Sequence, residues 1–108
     1  MKDFTGLVLC DYRSERVEVH VKATIANGQL TLSGQDLGPV VESFWGDSDY
    51  EYWYTLDKDN TAKLISAIHG EEDVQGSLLR EFSGESGCKR LRDICEQNGI
   101  QYQFFSYA

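Results

Sequence analysis

Apolar and polar residues alternate along the first third of the chain. In the segment RVEVHVKATI the apolar positions are Val17, Val19, Val21, Ala23 and Ile25. This two-residue period predicts a half-buried strand with one polar face toward water. The pair Asn27-Gly28 predicts a tight hairpin, because both residues tolerate the positive φ of a type I′ turn. With GLVLCDY before this strand and QLTLS after the hairpin, the pattern predicts a three-stranded antiparallel meander.

The segment YEYWYTL, residues 50–56, predicts a fourth strand because it is rich in aromatic residues. Alternation sends Tyr50, Tyr52 and Tyr54 to one face and Glu51, Trp53 and Thr55 to the other. Residues 34–49 before it form a connection, with one turn of helix expected at PVVESF because Pro39 suits a first helical position.

The period changes to that of helices after residue 56, and three helical segments follow. The first begins at an N-cap of Asp57 or Asp59 and ends before Gly70; the third begins at Ser86 and stops at Gly99. Their apolar stripes are Leu64, Ile65 and Ile68 in the first helix, Val74, Leu78, Leu79 and Phe82 in the second, and Cys88, Leu91, Ile94 and Cys95 in the third.

The closing segment IQYQFFSYA predicts a last strand, which we expect to pair beside YEYWYTL. Strands followed by helices and one returning strand indicate an α+β fold. We therefore expect a single domain over residues 1–108, with a mostly antiparallel sheet (the N-terminal meander, the aromatic strand and the C-terminal strand) and about three helices packed on one face.

Composition and charge narrow the function classes. The chain of 108 residues is 41% apolar and 26% charged, with a net charge of -8. The electrostatic field of this negative charge repels nucleic acid and anionic membranes and attracts basic proteins, so we expect neither nucleic acid nor membrane as a partner.

The segment CKRLR, residues 88–92, is locally basic but fits a solvated helical turn. No secretory signal or membrane-length apolar run is recognised, and the three cysteines are unclustered, so we expect a reduced, cytoplasmic protein.

Recognised catalytic and metal-binding patterns are missing from the sequence. The acids at 47, 49 and 51 resemble the start of a calcium loop, but the positions that need Gly and Glu hold Tyr52 and Lys58. We expect no catalytic residue, no metal site and no cofactor. The alternative left open is a small hydrolase or metal-dependent enzyme that uses Cys10, His20 or the cluster Asp47, Asp49 and Glu51.

The segment FWGDSDYEYWYTLDKDN, residues 44–60, concentrates six aromatic residues and five acids against one base. One face of rings must be core, and the other is either covered by residues 34–49 or exposed. Exposed Tyr and Trp are typical of binding hot spots, and acids around them would steer a basic partner.

The segments GDSDYEYWYTLDKDN and NGIQYQFFSYA, in a small acidic α+β chain, resemble the single-domain bacterial immunity proteins. The resemblance implies a non-enzymatic inhibitor that neutralises a cognate toxin, often a basic nuclease. We expect partner contacts from Trp45, Asp47, Asp49, Tyr50, Glu51 and Trp53, with Glu42 and Asp36 on the flank. An adaptor or subunit of another complex, and a homodimer formed through the C-terminal strand, remain open as alternatives.

Overall fold

A computed structural model describes residues 1–39 and 49–107. Within these residues the chain forms one five-stranded antiparallel sheet in the order β1-β2-β3-β4-β5. The strands are β1 Phe4–Arg13, β2 Glu18–Ala26, β3 Gln29–Leu37, β4 Asp49–Leu56 and β5 Gln103–Tyr107. The helices are α1 Lys58–Ala67, α2 Val74–Phe82 and α3 Gly87–Asn98. The predicted α+β fold is confirmed, as is the pairing of the last strand with the aromatic strand.

The hairpin between β2 and β3 forms at Asn27-Gly28, as the sequence predicts. These residues have φ values of 53° and 78°, and Ala26 pairs directly with Gln29. Both values lie in the left-handed region that a type I′ turn requires. The turn fixes the register of the whole β2–β3 ladder, so the apolar positions of both strands share one face. The helical turn predicted at residues 39–44 lies largely outside the described residues.

Helix boundaries follow the predicted caps with two differences. Asp57 caps α1 by accepting a hydrogen bond from the Asn60 amide at 2.8 Å, and Gly99 ends α3 at φ 64°. At the end of α1, however, His69 takes the left-handed conformation (φ 57°) that we expected near Gly70. Gly70 instead allows close packing, because a Cβ there would lie 2.2 Å from the Ser77 hydroxyl. Ser86 precedes α3 but makes no side-chain cap hydrogen bond.

The helices cover one face of the sheet, and the buried residues of the described chain form a single cluster beneath them. The sheet contributes alternate residues of β2, β3 and β4, and each helix contributes its apolar stripe. The fully buried members with the largest side chains include Ile25, Leu30, Leu32, Leu56, Leu64, Leu78, Phe82 and Leu91. Leu79 was predicted to belong to this stripe, but it is 39% exposed. It lies one residue beyond Leu78, about 100° around the helix, and therefore faces solvent.

Strand β5 is placed beside β4 by three anchors that precede it. The left-handed Gly99 turns the chain out of α3, and Ile100 is then buried at 5% exposure. The Gln101 amide next donates to the Asn60 side chain in α1 at 2.9 Å. The pairs from Thr55–Gln103 to Glu51–Tyr107 follow without interruption. The strand is shorter than the predicted segment 100–108 because its first residues serve as this anchor.

Candidate functional site

The face of the sheet opposite the helices carries acids and aromatic rings side by side. Alternation along β4 places Glu51 and Trp53 on this face, as predicted, and Asp49 lies there with them. Strand β5 adds Phe105 directly opposite Trp53, and Tyr107 opposite Glu51. These five residues, Asp49, Glu51, Trp53, Phe105 and Tyr107, are called the acidic-aromatic patch below.

Two of the three rings of the patch are largely exposed, and Trp53 is half-buried. Trp53 and Phe105 contact each other with ring centroids 5.5 Å apart. Phe105 is nevertheless 62% exposed and Tyr107 is 68% exposed. Cross-strand aromatic pairs of this kind stabilise a sheet modestly, whereas large apolar side chains left in water are costly. With Phe105 and Tyr107 exposed beside Trp53, the patch therefore has the composition of an interaction surface.

A depression of about 400 Å³ borders the patch on the same face. Trp53 and Glu51 form one wall, and polar side chains of β2 and β3 form the rest. Among them His20 contacts Asp11 at 2.9 Å and Glu18 at 3.3 Å. The Gln35 amide donates to Asp49 at 3.1 Å. The lining of the depression thus combines one carboxylate, that of Glu51, with Lys22, His20 and polar groups of β3, which suits a polar side chain of a partner.

A second cavity of about 280 Å³ lies on the helix side of the sheet, where β3 and β4 extend beyond the core. Three tyrosines of β4 line it in a row, with centroids 5.5 Å apart between Tyr50 and Tyr52 and 6.3 Å apart between Tyr52 and Tyr54. The Tyr52 hydroxyl donates to Asp36 at 3.1 Å. Arg92 of α3 donates to the Tyr54 hydroxyl and stacks over its ring at 5.9 Å.

Hydrogen bonds in this second cavity hold its polar groups together. Burial raises the pKa of Asp36, although the hydrogen bond from Tyr52 opposes the rise. Burial, aided by the Asp36 charge, raises the pKa of Tyr52 well above its ordinary value. Burial likewise raises the pKa of Cys88 to about 11. At neutral pH Tyr52 and Cys88 are therefore protonated, which suits a structural network better than acid–base chemistry.

The Tyr52 ring also explains a glycine in the middle of β3. Gly34 pairs with Tyr52, and a Cβ at Gly34 would lie 2.1 Å from the ring. The ring fills the space that a β3 side chain would otherwise occupy, as aromatic residues do over sheet glycines. This contact fixes the tyrosine row on the helix side and leaves Trp53 and Glu51 on the opposite side.

The predicted contact residues do not form one surface. Asp49, Glu51 and Trp53 come together in the acidic-aromatic patch. Asp36 and Tyr50 lie on the opposite, helix-side face, because the side chains of adjacent strand residues alternate. Glu42, Trp45 and Asp47 lie outside the described residues.

The residues of the enzyme alternative are arranged unfavourably for a Cys–His pair. Cys10 is buried opposite Val21 on the helix side, whereas His20 lies on the opposite face. Burial raises the pKa of the Cys10 thiol, and a nucleophilic cysteine needs a lowered pKa. In the described part of the chain, no three His, Cys, Asp or Glu side chains are grouped to hold a metal ion. No helix there is long and apolar enough to cross a membrane.

Sequence reasoning did not include Phe105 and Tyr107 among the contact residues. Their signal was present in QFFSY, where alternation puts positions 103, 105 and 107 on one face. Which face they share with β4 depends on the register of the β4–β5 ladder, and residue patterns do not reveal that register.

Comparisons with protein-family models, with curated proteins and with solved structures gave no match to this chain.

Proposed function

We propose that the protein is a non-enzymatic protein-binding module that captures a basic protein on the acidic-aromatic patch. One observation carries the proposal: Phe105 and Tyr107 are largely exposed beside the half-buried Trp53 and next to Glu51, on a sheet face that no other described element covers. A solvated face is ordinary in an antiparallel sheet, but such a face is usually polar. Exposed rings next to acids instead match the composition of binding hot spots.

Charge supports a basic partner. The chain has a net charge of -8, and Glu51 forms no ion pair among the described residues. A negative field of this size accelerates encounter with a positively charged protein and repels acidic ones. The rings would then supply the buried contact area, and the carboxylates would set the orientation.

The most specific form of this proposal is an immunity protein that neutralises a toxin. A toxin that cleaves nucleic acid needs a basic surface to hold substrate phosphates. Carboxylates such as Glu51 and Asp49 can occupy the place of those phosphates. The resemblance of GDSDYEYWYTLDKDN and NGIQYQFFSYA to immunity proteins supports this form, because both segments contribute residues to the patch.

The test is affinity capture with two variants of equal net charge. The site variant carries Asp49→Lys and Glu51→Lys. The control variant carries Glu71→Lys and Glu72→Lys, which change two exposed acids in the connection between α1 and α2. Tagged wild-type protein and both variants are incubated with lysate of the source cells at low and moderate salt, and recovered proteins are identified by mass spectrometry.

We expect wild type and control to recover the same basic protein, with recovery falling as salt rises. The site variant should recover it about tenfold less or worse, because steering is lost with the local charge. Equal recovery by all three proteins, or no recovery at either salt, would contradict the proposal. Co-expression then tests the immunity form: the recovered protein should arrest growth alone, and the wild-type chain should relieve that arrest. A harmless partner would identify an adaptor instead.

A further inference from the structure

Strand β5 leaves one of its two edges unpaired within the described sheet. It pairs with β4 along Glu51–Thr55, and none of the other described strands lies on its outer side. The backbone N–H and C=O groups that point outward from such a strand are a template for another strand.

The side chains of β5 lack the features that usually block such pairing. The strand QFFSY contains no charged residue and no proline, and its ladder with β4 has no bulge. Its rings are exposed on both faces: Phe104 at 49% on the helix side, and Phe105 at 62% and Tyr107 at 68% on the patch side. A second strand laid along this edge would cover all three.

We infer that the occupant of this edge is β5 of a second copy of the chain, in antiparallel, two-fold symmetric pairing centred on Phe105. In that register each Phe105 faces its equivalent. Each Gln103 faces Tyr107 of the second copy, and each Phe104 faces Ser106 of the second copy. Large residues therefore meet small or polar ones on either side of a central ring pair, and no charge is placed opposite a like charge.

Self-complementarity favours a second copy over an unrelated strand. A two-fold axis perpendicular to the sheet keeps each face continuous, because antiparallel neighbours related in this way present the same side. The joined sheet has ten strands, with both Trp53–Phe105 pairs adjacent on one face. The copies repel each other through their net charge of -8, but that repulsion is screened by salt and β5 itself is uncharged.

This inference does not rest on the proposed function, although Phe105 and Tyr107 belong to both surfaces, and its salt dependence has the opposite sign. Capture of a basic protein weakens as salt rises, whereas pairing of two acidic copies strengthens. Purified chain alone is therefore examined by sedimentation equilibrium across concentration and salt. We expect a monomer–dimer equilibrium whose association constant rises with salt. A monomer at every concentration up to about 1 mM would overturn the inference.

Substitution at the two-fold axis tests the location. Phe105→Lys places two like charges opposite each other and should weaken association at least about tenfold. The matched control is Tyr12→Lys, which adds the same charge to an exposed ring on β1, the other edge. The control should associate like wild type. If Phe105→Lys does not fold, Tyr107→Lys at the more exposed end of the strand replaces it. Equal association of the β5 and β1 variants would place the interface elsewhere.

Disulfide trapping tests the register. Directly opposite Cα atoms of antiparallel strands are about 4.5–5.5 Å apart, within the range that a disulfide spans. Under mild oxidation Phe105→Cys should form a covalent dimer, whereas Ser106→Cys alone should not. A mixture of Phe104→Cys and Ser106→Cys chains should form the mixed dimer. Wild type, with Cys10 and Cys95 buried, is the control. Efficient trapping of Ser106→Cys alone would contradict the proposed register.

Discussion

The two edges of the sheet, β1 and β5, differ in the features that decide whether an edge strand accepts another strand. β1 has ten residues, carries the charges of Asp11 and Arg13, and has two register shifts against β2. A loop also contacts β1, because the Gly84 amide between α2 and α3 donates to the Leu9 carbonyl at 2.9 Å. β5 has five residues, no charge, no register shift and three exposed rings.

The comparison indicates which edge is available for association. Bulges and charges are among the devices by which natural sheets prevent edge-to-edge pairing, and β1 has both in addition to this loop contact. β5 combines none of them within the described residues. Among the described residues the chain therefore protects one edge and leaves the other open beside the acidic-aromatic patch, which is consistent with β5 having a partner.

The largest effect should come from removing the ring that holds β5 against the core. Tyr54 is 3% exposed. Its ring centroid lies 4.8 Å from that of Phe104 and 5.7 Å from that of Tyr102. Tyr54→Ala should lower the free energy of unfolding by about 3–5 kcal/mol, since truncating a buried ring leaves a cavity. Denaturant unfolding measures the loss.

Amide exchange of the same variant tests whether the loss is local to the open edge. Exchange should accelerate first in β5 and only later in β1, because the cavity lies next to β5. The control Tyr12→Ala removes a 40% exposed ring from β1 and should cost within about 0.5 kcal/mol. Equal acceleration of exchange in β1 and β5 would show that the loss of stability is global and not local to β5.

An intermediate effect is expected from disturbing the loop whose Gly84 amide donates to the Leu9 carbonyl of β1. Gly84 has φ 89°, and a Cβ there would meet nothing within 4 Å. Gly84→Ala should therefore cost about 1–2 kcal/mol through backbone strain alone. If the strain shifts the loop, the amide of residue 84 loses its protection by Leu9. Gly99→Ala is the matched control, with φ 64° and equally open space. It should cost a similar amount without deprotecting residue 84.

The features of the two edges could be predicted from the sequence to different extents. Alternation, Asn27-Gly28 and the helical caps were sufficient to predict the meander, the helices and the α+β class. The pairing of β5 with β4 was also anticipated, but its register was not, because no local turn joins the two strands. The contact between Gly84 and Leu9 on β1 could not be predicted, since it is a backbone hydrogen bond between residues 75 positions apart in the chain.

The candidate site, too, could be predicted from the sequence only in part. Alternation correctly separated Glu51 and Trp53 from the tyrosine row. It could not show that Asp36 lies with that row, because the side that Asp36 faces depends on the β3–β4 register. The space for the Tyr52 ring exists because position 34 is glycine, and a glycine in a strand does not reveal which ring lies over it.

The smallest effect should be a pH dependence confined to the protected edge. Hydrogen bonds from Arg90 and Arg80 hold the pKa of Glu81 in α2 below its ordinary value. Because this pKa is lower in the folded state, the stabilisation is present above the unfolded pKa of about 4.3 and is lost as pH falls through the folded pKa. In wild type the free energy of unfolding should fall with pH by at most about 1 kcal/mol through this group, and Glu81→Gln should abolish that fall.

Unfolding curves between about pH 6 and about pH 3, roughly 1.5 units either side of that unfolded pKa, measure this difference. The control Glu71→Gln alters an exposed acid with no ion pair among the described residues, and it should retain the wild-type acid dependence. Because β5 contains no charged residue, its amide exchange should show no matching change. An acid dependence that Glu81→Gln leaves intact would assign the effect to other carboxylates.

The most direct test of the open edge is amide hydrogen exchange of the purified wild-type chain at a low and a high protein concentration. The account predicts that exchange in β5 slows as concentration rises, because its outward N–H groups become paired, while exchange in β1 stays constant. Exchange in β5 that is independent of concentration, or slowing in β1 instead, would contradict the claim that β5 is the edge at which this protein associates.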